Sequence, residues 1–513
     1  MSSRQTVLVL DFGSQYTQLI ARRVREQRVY SEIIPHTVTL GQVRDIHPAA
    51  IILSGGPSSV YNDQALRFDE DILDLGIPVL GICYGLQMLM DHFGGKVQSD
   101  GQGEYGFAKI HHETSGRLLE GVSTESNVWM SHGDRVEEVP EGWIVTARST
   151  NNVVAAVEHS SRLIFGTQFH PEVAHTTDGE RILSNFLFNI SRCKPDWTSA
   201  SFIEKTIARV QNIVEDKAVL CGVSGGVDSA VAAKLLSMAI GEQLFAVFVD
   251  HGLLRKNERE YITDTLQTGL GIPVEYHDFS GAFLSKLKGI TDPERKRSII
   301  GEQFIRSFEA IAKSHNSIDF LAQGTLYPDV IESGGTLGTA DVIKSHHNVG
   351  GLPDDIGFDL IEPLRELFKD EVRFVGRALD IPDNILGRHP FPGPGLAVRI
   401  VGEVTPERLT ILRDADDVFI SMLKDKGIYD EIWQAFCVLV PVKTVGVMGD
   451  QRTYAHLITL RAVTSVDGMT ADWYRMSPEI LNEISNKIVN TVPGINRVVY
   501  DITSKPPGTI EWE

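Results

Sequence analysis

The chain has 513 residues, which is too long for one hydrophobic core and predicts roughly two to four domains. Its 42% of hydrophobic and 23% of charged residues are typical of a globular protein. Its formal net charge of −20 argues against broad, charge-driven binding of nucleic acid, because such binding needs clustered lysine and arginine side chains. With four widely spaced cysteines, no signal peptide and no apolar run of transmembrane length, we expect a reduced, cytoplasmic protein with no membrane partner.

The first part of the chain alternates strand-like and helix-like segments. Thr6–Asp11, Ala50–Leu53 and Pro78–Ile82 are apolar runs of strand length, and Gln15–Glu26 has a helical pattern. Such alternation predicts a parallel sheet covered by helices, with functional loops at the carboxyl ends of the strands. The segment 106–169 is richer in β-type residues and turns, which predicts further strands.

A cysteine between glycines follows the third of these strands. Cys83 stands in the run Gly81-Ile82-Cys83-Tyr84-Gly85, which is typical of a nucleophile elbow with cysteine in place of serine. A sharp turn there exposes the sulfur, and the helix that follows favours the thiolate. The alternative is a buried structural cysteine, which is the commoner role of a lone cysteine.

A histidine and a glutamate after a later strand favour the catalytic alternative. His170 is placed to take the thiol proton of Cys83, and Glu172 to orient the imidazole, which together predict a Cys-His-Glu triad.

Three segments, 54–57, 81–87 and 169–172, resemble the signatures of class I glutamine amidotransferases. The resemblance implies that Cys83 attacks the side-chain amide of glutamine and that ammonia is released. It also implies an oxyanion hole formed by the backbone N–H groups of Gly56 and Tyr84. Gln87 and the segment 131–134 are weaker candidates for contacts with glutamine.

The sequence predicts a helix over Glu180–Ile190 and a linker around Pro195, and a second α/β block follows. Its predicted parallel strands are Ala218–Val223, Leu244–Asp250 and Asp319–Gln323.

A glycine-rich turn between the first of these strands and a helix predicts an anion-binding cradle. Its residues are Ser224, Gly225, Gly226, Val227, Asp228 and Ser229. The turn resembles the pyrophosphate loop of ATP pyrophosphatases, and no lysine follows the glycines as in the phosphate loop of kinases. Asp228 is a candidate ligand for a metal ion. The alternative is a turn that binds nothing.

The stretch 325–353 is polar and glycine-rich without a clear period, which favours a functional loop or lid. A second boundary is predicted at 388–395, where three prolines and two glycines stand. Beyond it, Phe436–Val440, Ala455–Val463 and Arg497–Ile502 are strand-like, and Pro478–Asn490 is helix-like.

Four further segments, 249–255, 292–297, 323–329 and 505–513, resemble glutamine-hydrolysing GMP synthetases, and the resemblance runs nearly end to end. It implies a carbon–nitrogen ligase that adenylates xanthosine monophosphate (XMP) with ATP and Mg²⁺ and then aminates it to GMP. The positions that match the XMP site are Arg297, Gln434, Lys505, Ile510 and Glu511. Those that match the lid are Asp329, Glu332, Lys344, His346 and His347.

The predicted fold class is α/β, with a flavodoxin-like amidotransferase domain at 1–195 and a Rossmann-like ATP pyrophosphatase domain at 196–388. The segment 389–513 is predicted as a smaller α+β domain for dimerisation and acceptor binding, so we expect a homodimer with XMP, ATP and glutamine as substrates and no nucleic acid partner. Two alternatives remain open on the sequence. One is a different acceptor, as in related NAD, asparagine or RNA-modifying enzymes, and the other is a non-catalytic nucleotide-binding or regulatory protein.

Overall fold

The computed structural model of the chain describes residues 4–62, 65–99, 103–315, 318–332, 357–448, 451–465 and 470–513. The described residues up to Ser201 form one compact unit, and most of those from Phe202 onward form a second one. The first unit ends close to the boundary predicted at residue 195, whereas the boundary predicted at residue 388 lies inside the second unit. The division into three domains therefore stays a prediction.

The first unit contains eleven strands and four α-helices among its described residues. The strands are β1 (Thr6–Asp11), β2 (Tyr30–Pro35), β3 (Ala50–Leu53), β4 (Val79–Ile82), β5 (Lys96–Gln98), β6 (Glu104–His112), β7 (Glu125–His132), β8 (Arg135–Glu138), β9 (Trp143–Ser149), β10 (Val154–His159) and β11 (Ile164–Thr167). The helices are α1 (Thr17–Glu26), α2 (Leu40–Ile46), α3 (Tyr84–His92) and α4 (Gly179–Ser184), and a π-helical turn (Asn185–Ile190) continues α4.

Nine of these strands form one sheet in the order β2-β1-β3-β4-β11-β10-β9-β6-β7. The pairs from β2 to β11 are parallel, and the pairs from β11 to β7 are antiparallel. Strands β3 and β4 are buried along their whole length, as expected for a parallel sheet covered on both faces. The order of the parallel part is that of flavodoxin-like sheets, which confirms the predicted fold class for this unit.

The linker leads into α5 (Ser199–Val214) and a second α/β arrangement. Its strands are β12 (Ala218–Gly222), β13 (Leu244–Asp250), β14 (Val274–Asp278), β15 (Ile318–Ala322) and β16 (Asp359–Ile361). Its helices are α6 (Val227–Ile240), α7 (Glu258–Asp264), α8 (Ser280–Leu287), α9 (Pro293–Ser314), α10 (Tyr327–Glu332), α11 (Lys369–Ala378) and α12 (Asp383–Leu386).

The sheet of this second arrangement has the order β14-β13-β12-β15-β16, and all of its pairs are parallel. Its chain connections reverse direction at the central strand β12, so the loop after β12 lies at a topological switch point. Ligands of open α/β sheets bind at such points, beyond the carboxyl ends of the strands. The Rossmann-like prediction is confirmed, and the segment 224–229 lies at this position.

The C-terminal part of the second unit is α+β. It contains α13 (Pro406–Asp425), β17 (Gln434–Met448), β18 (Gln451–Thr464), β19 (Asp472–Trp473), α14 (Pro478–Thr491) and β20 (Ile495–Tyr500). Strand β18 pairs antiparallel with β17 and β19 and parallel with β20.

One hydrophobic core runs through the second unit. It joins Leu220 and Val249 of the parallel sheet to Leu412 of α13 and Leu460 of β18. This shared core explains why the chain after Phe202 does not separate into two compact parts at residue 388. Within the described ranges, we found no helix with both the length and the apolar character needed to cross a lipid bilayer.

Candidate active sites

The first site is built on a strained turn between β4 and α3. Cys83 has φ 54° and ψ −104°, a conformation in which side chains are rarely found. A Cβ on Gly85 would lie 2.4 Å from the carbonyl oxygen of Leu53, and one on Gly81 would lie 2.6 Å from the backbone of Gly85. The two glycines therefore let the strand and the helix approach closely enough to form the predicted elbow, which presents a thiol that is 5% exposed.

His170 and Glu172 lie beside this thiol at the end of β11. The imidazole Nδ1 is 2.7 Å from Glu172 Oε1, and both side chains are buried. Burial by itself would lower the pKa of His170, but the Glu172 carboxylate and the Cys83 side chain outweigh it and raise that pKa well above its ordinary value. The pairing of His170 with Glu172 thus favours the protonated imidazole that forms when Cys83 gives up its proton.

Two further groups contact the sulfur that the sequence did not single out as partners of Cys83. The Sγ atom is 3.7 Å from the carbonyl oxygen of Ser131 and 3.7 Å from Gln168 Nε2. Gln168 also accepts a hydrogen bond from Gln87 Nε2 at 3.4 Å. Gln168 stands two residues before His170, where strand β11 has just ended, and this position could have indicated a site residue. A glutamine side chain, however, belongs to no catalytic sequence pattern of its own.

A cavity of about 560 Å³ opens in front of Cys83. Its lining includes Gly56, Gln87, His170 and the segment 131–134. Gln87 Nε2 donates to the carbonyl oxygen of Asp134 at 2.8 Å, which fixes that segment against α3. The cavity thus contains the residues predicted for glutamine contacts.

Gly56 and Tyr84, the predicted oxyanion donors, lie next to each other. A Cβ on Gly56 would be 2.8 Å from the carbonyl oxygen of Phe12 and 3.2 Å from Cδ1 of Tyr84. Glycine at this position lets the backbone approach the start of α3, where Tyr84 is the first helical residue. Two backbone amides beside a nucleophile are the usual components of an oxyanion hole.

The second site is the loop between β12 and α6. Gly225 has φ 71°, and a Cβ there would lie 2.5 Å from Ile262 Cγ1, so the tight turn requires glycine. The hydroxyl groups of Ser224 and Ser229 are 3.1 Å apart, and Ser229 Oγ donates to the carbonyl oxygen of Gly226 at 3.1 Å. Helix α6 begins at Val227, so its positive end faces this cradle.

Asp228 has one paired and one unpaired carboxylate oxygen. Oδ2 is 2.5 Å from Lys369 Nζ, whereas Oδ1 is buried and has no hydrogen-bond partner among the residues that the structure describes. An unpaired anionic oxygen beside a phosphate cradle fits a magnesium ion, which prefers oxygen ligands and binds through one or two carboxylates together with substrate phosphates. Lys369 is a site residue that the sequence did not reveal, because it lies on α11, far along the chain.

A cavity of about 390 Å³ adjoins the loop. Its lining includes the side chains of His251, Phe304, Phe308 and Phe391. Burial lowers the pKa of His251 to about 4 against the opposing effect of Asp250, so the ring is neutral near neutral pH. An apolar, aromatic pocket next to a phosphate cradle is suited to the base and sugar of a nucleotide.

Three of the predicted acceptor residues, Gln434, Ile510 and Glu511, lie together. Glu511 forms a two-point ion pair with Arg399, through Nε at 3.0 Å and Nη2 at 2.8 Å, and accepts from Gln434 Nε2 at 2.7 Å. Ile510 is buried against Phe436 and its neighbours. Arg399 is fully buried and was missed, because only the tertiary structure brings it to the tail.

The other two predicted acceptor residues contact the tail or belong to it. Arg297 on α9 donates to the backbone oxygen of Glu513, and Lys505 exchanges both backbone hydrogen bonds with Ala471 at 2.7 and 3.1 Å. Arg461 on β18 is fully buried and donates to backbone carbonyls of the tail, including that of Thr509 at 3.0 Å. These contacts hold the C-terminal tail against the second unit.

The predicted lid residues are only partly described. Asp329 and Glu332 lie on α10, and Asp329 Oδ2 accepts from the backbone of Leu326 at 2.8 Å. Lys344, His346 and His347 lie outside the described residues. The described part of the chain contains no group of three or more histidine, cysteine or acidic side chains arranged to hold a metal ion.

Three family models match successive parts of the chain. The model of class-I glutamine amidotransferases matches residues 8–190, that of NAD synthases matches residues 199–298, and that of the GMP synthase C-terminal domain matches residues 421–512. The first match covers the triad, the second covers the 224–229 loop, and the third covers Gln434 and the tail as far as 512.

Full-length relatives give the same assignment. A GMP synthase (glutamine-hydrolyzing) from Symbiobacterium thermophilum is 56% identical over 511 residues, which is 99% of each chain. Proteins of the same name from Chlorobium luteolum and Crocosphaera subtropica are 56% and 53% identical and cover 99% of this chain and 100% and 95% of their own. The chain therefore belongs to the glutamine-hydrolysing GMP synthase family, and its reaction is the glutamine-dependent synthesis of GMP.

Proposed function

We propose that this synthesis uses two separate sites of the chain, one for ammonia and one for the activation of XMP. Cys83 releases ammonia from glutamine, the 224–229 loop holds ATP while the O2 oxygen of XMP is adenylated, and ammonia then displaces AMP to give GMP. The observation that carries the proposal is that Pro390 and Phe391 line the nucleotide cavity and also contact the cluster around Glu511. ATP and an acceptor bound at these two places would be neighbours.

In the first half-reaction the thiol proton moves to His170 as Cys83 attacks the amide carbon. His170 then gives the proton to the leaving nitrogen, ammonia departs, and water hydrolyses the thioester to glutamate. Glu172 stabilises the intermediate imidazolium, and the N–H groups of Gly56 and Tyr84 stabilise the oxyanion.

In the second half-reaction the backbone of the 224–229 loop and the start of α6 hold the phosphates of ATP. The O2 oxygen of XMP attacks the α-phosphorus, and pyrophosphate leaves. Mg²⁺, when bound with ATP, supplies positive charge that offsets the phosphate charges, and Asp228 Oδ1 would hold it. The contributions of Asp329, Glu332, Lys344, His346 and His347 stay predictions from the family resemblance.

The acceptor site uses the tail and the elements that hold it. Glu511 and Gln434 provide an acceptor and a donor for the base or ribose of XMP, and Arg297 and Lys505 provide cations for its phosphate. Arg297 now binds the chain end, so the XMP phosphate would exchange with that contact.

We also propose that the chain forms a homodimer through the β17–β18 hairpin. Val445, Val447 and Tyr454 are 53%, 72% and 61% exposed, and Val445 pairs with Tyr454 across the two strands. An apolar face of this kind on a sheet is typical of an interface, and a two-fold pair is the commonest closed arrangement. The cytoplasmic location stays a prediction.

The proposal is tested by incubating the protein with XMP, Mg-ATP and glutamine and measuring GMP, AMP and pyrophosphate. We expect the three products in equal amounts. Replacing XMP by the acceptors of related enzymes, deamido-NAD or aspartate, should give no AMP. AMP formation with either substitute but not with XMP would overturn the assignment of the acceptor.

A further inference from the structure

One histidine connects the wall of the nucleotide cavity to the start of β17. His389 lies in the proline-rich segment at 388–395, and this segment lines the cavity up to Gly393. Its imidazole stacks on the ring of Tyr429 with 3.7 Å between ring centroids and an angle of 10° between the planes. A buried ring held face to face in this way has little freedom to rotate.

Both ring nitrogens of His389 are engaged, and their roles follow from their partners. The backbone N–H of Ala435 donates to Nδ1 at 3.2 Å, so Nδ1 carries no proton. Nε2 is therefore protonated and donates to the carbonyl oxygen of Tyr429 at 3.0 Å. Burial lowers the pKa of His389 to about 4, which keeps this one neutral tautomer near neutral pH. The link is therefore fixed and does not switch with physiological pH.

The bond to Ala435 lies next to the acceptor cluster. Gln434 precedes Ala435 and donates both to Glu511 Oε1 at 2.7 Å and to the carbonyl oxygen of Pro390 at 3.2 Å. The segments 389–390 and 434–435 are thus joined by two hydrogen bonds, both donated by 434–435 and accepted by 389–390. A third contact lies close by, where the guanidinium of Arg399, the partner of Glu511, is 5.2 Å from the ring of Phe391.

We propose that His389 is a positioning residue, which sets the place of Gln434 and Glu511 relative to the nucleotide cavity and thereby aligns XMP with ATP. This inference rests on the proposed function. His389 itself lies in the wall of the nucleotide cavity, but its effect on XMP passes through the backbone of Ala435. Its bond to Ala435 is the important one, because the bond to Tyr429 leads away from the acceptor cluster.

The two conservative amides separate these bonds. An asparagine oxygen lies close to the position of Nδ1 and can accept from Ala435, whereas a glutamine amide reaches the position of Nε2 and can donate to Tyr429. Both substitutions remove the stacked ring, so H389N and H389Q differ mainly in which bond they keep. We would measure XMP-dependent formation of AMP, with ammonium as the nitrogen donor, and determine KM for XMP and for ATP separately.

We expect H389Q to raise KM for XMP on the order of tenfold, the effect of one lost hydrogen bond, with KM for ATP unchanged, and H389N to stay close to the unsubstituted protein. Equal values for H389N and H389Q, or a rise in KM for ATP as large as that for XMP, would overturn the inference. If H389Q does not fold, as judged by thermal unfolding, H389A takes its place and must show the higher KM for XMP than H389N. If the unsubstituted protein forms no AMP from XMP and ATP, the proposed function fails instead.

Discussion

The Asp228 side chain shows how the fold keeps a charge available for a ligand. Lys369 neutralises one carboxylate oxygen, and the other faces the cradle without a hydrogen bond from the described residues. A buried anionic oxygen without a partner is costly, and the cost is offset when a cation or a donor arrives with the substrate. We propose that Asp228 acts in the ATP site and has no part in ammonia release.

We predict that D228N lowers pyrophosphate release at least on the order of a hundredfold with glutamine and with ammonium alike, because both routes use the same phosphate cradle. The matched control is D264N, which changes an exposed carboxylate on α7 and should leave both rates unchanged. Near-normal pyrophosphate release by D228N would mean that the loop does not hold the phosphates.

His251 predicts a pH dependence of stability. Its pKa is about 4 in the folded chain and 6.5 in the unfolded chain, so folding favours the neutral ring. The resulting stability is fully present above pH 6.5 and is lost as the pH falls toward 4. Between pH 7 and pH 5 the free energy of unfolding should fall by about 2 kcal/mol because of this group.

Urea unfolding of the second unit at these two pH values measures the loss. H251N keeps an acceptor for the backbone N–H of Leu253, which Nδ1 now accepts at 3.1 Å, but cannot be protonated. We expect the fall in the free energy of unfolding between pH 7 and pH 5 to be smaller in H251N by about 2 kcal/mol. Identical losses in the two proteins would contradict a neutral His251 in the folded state.

Buried charges hold the C-terminal tail in place. Lys296 is fully buried and binds the carbonyl oxygens of Ala397 at 3.2 Å and Ile400 at 2.8 Å as well as the side chain of Glu513. Burial lowers the pKa of Lys296, and the Glu513 carboxylate counteracts this effect. The side chain of Glu513 is thus largely buried against the second unit.

E513A should destabilise the second unit by roughly 3–5 kcal/mol, because it leaves the Lys296 charge buried without its carboxylate. The double substitution K296M/E513A removes the charge as well and should recover most of the loss. The measurement is the urea midpoint of the second unit. A double variant no more stable than E513A would show that the tail contributes through its backbone contacts rather than through this ion pair.

The elements that the sequence predicted well are those with local signals. Strands β1, β3 and β13 agree with their predicted bounds, because each is a buried apolar run between polar or glycine-containing turns. Strand β17 was predicted only over Phe436–Val440 but extends over Gln434–Met448. Pro441 and Gly446 interrupt its pattern, and pairing with β18, with an irregularity between Val440 and Thr444, overrides that local signal.

The same difference between local and long-range sequence signals holds for the site residues. Cys83 and the 224–229 loop were predictable because a turn between a strand and a helix leaves a pattern of glycines. Arg399 and Lys369 were not predictable, because each reaches its carboxylate across more than a hundred residues of sequence. All five predicted acceptor residues depended on the family resemblance: Arg297, Gln434, Lys505, Ile510 and Glu511.

The proposed homodimer is tested on the exposed β17–β18 hairpin. V447K places a charge in the apolar face and should convert a dimer into monomers, which light scattering at micromolar concentration distinguishes. N490K adds the same charge on the exposed face of α14 and should leave the dimer intact. A monomer in the unsubstituted protein would reject the homodimer altogether.

If ammonia release and XMP activation occur at two separate sites, C83A should affect only the reaction that uses glutamine. GMP formation is measured with glutamine and, separately, with an ammonium salt, beside the control C193A, whose buried thiol has a pKa raised to about 11 and lies outside the site. We predict that C83A makes no GMP from glutamine but makes it from ammonium at the unsubstituted rate, while C193A uses both. Loss of both activities in a folded C83A protein, or glutamine-driven synthesis without Cys83, would show that the two reactions are not divided between these sites.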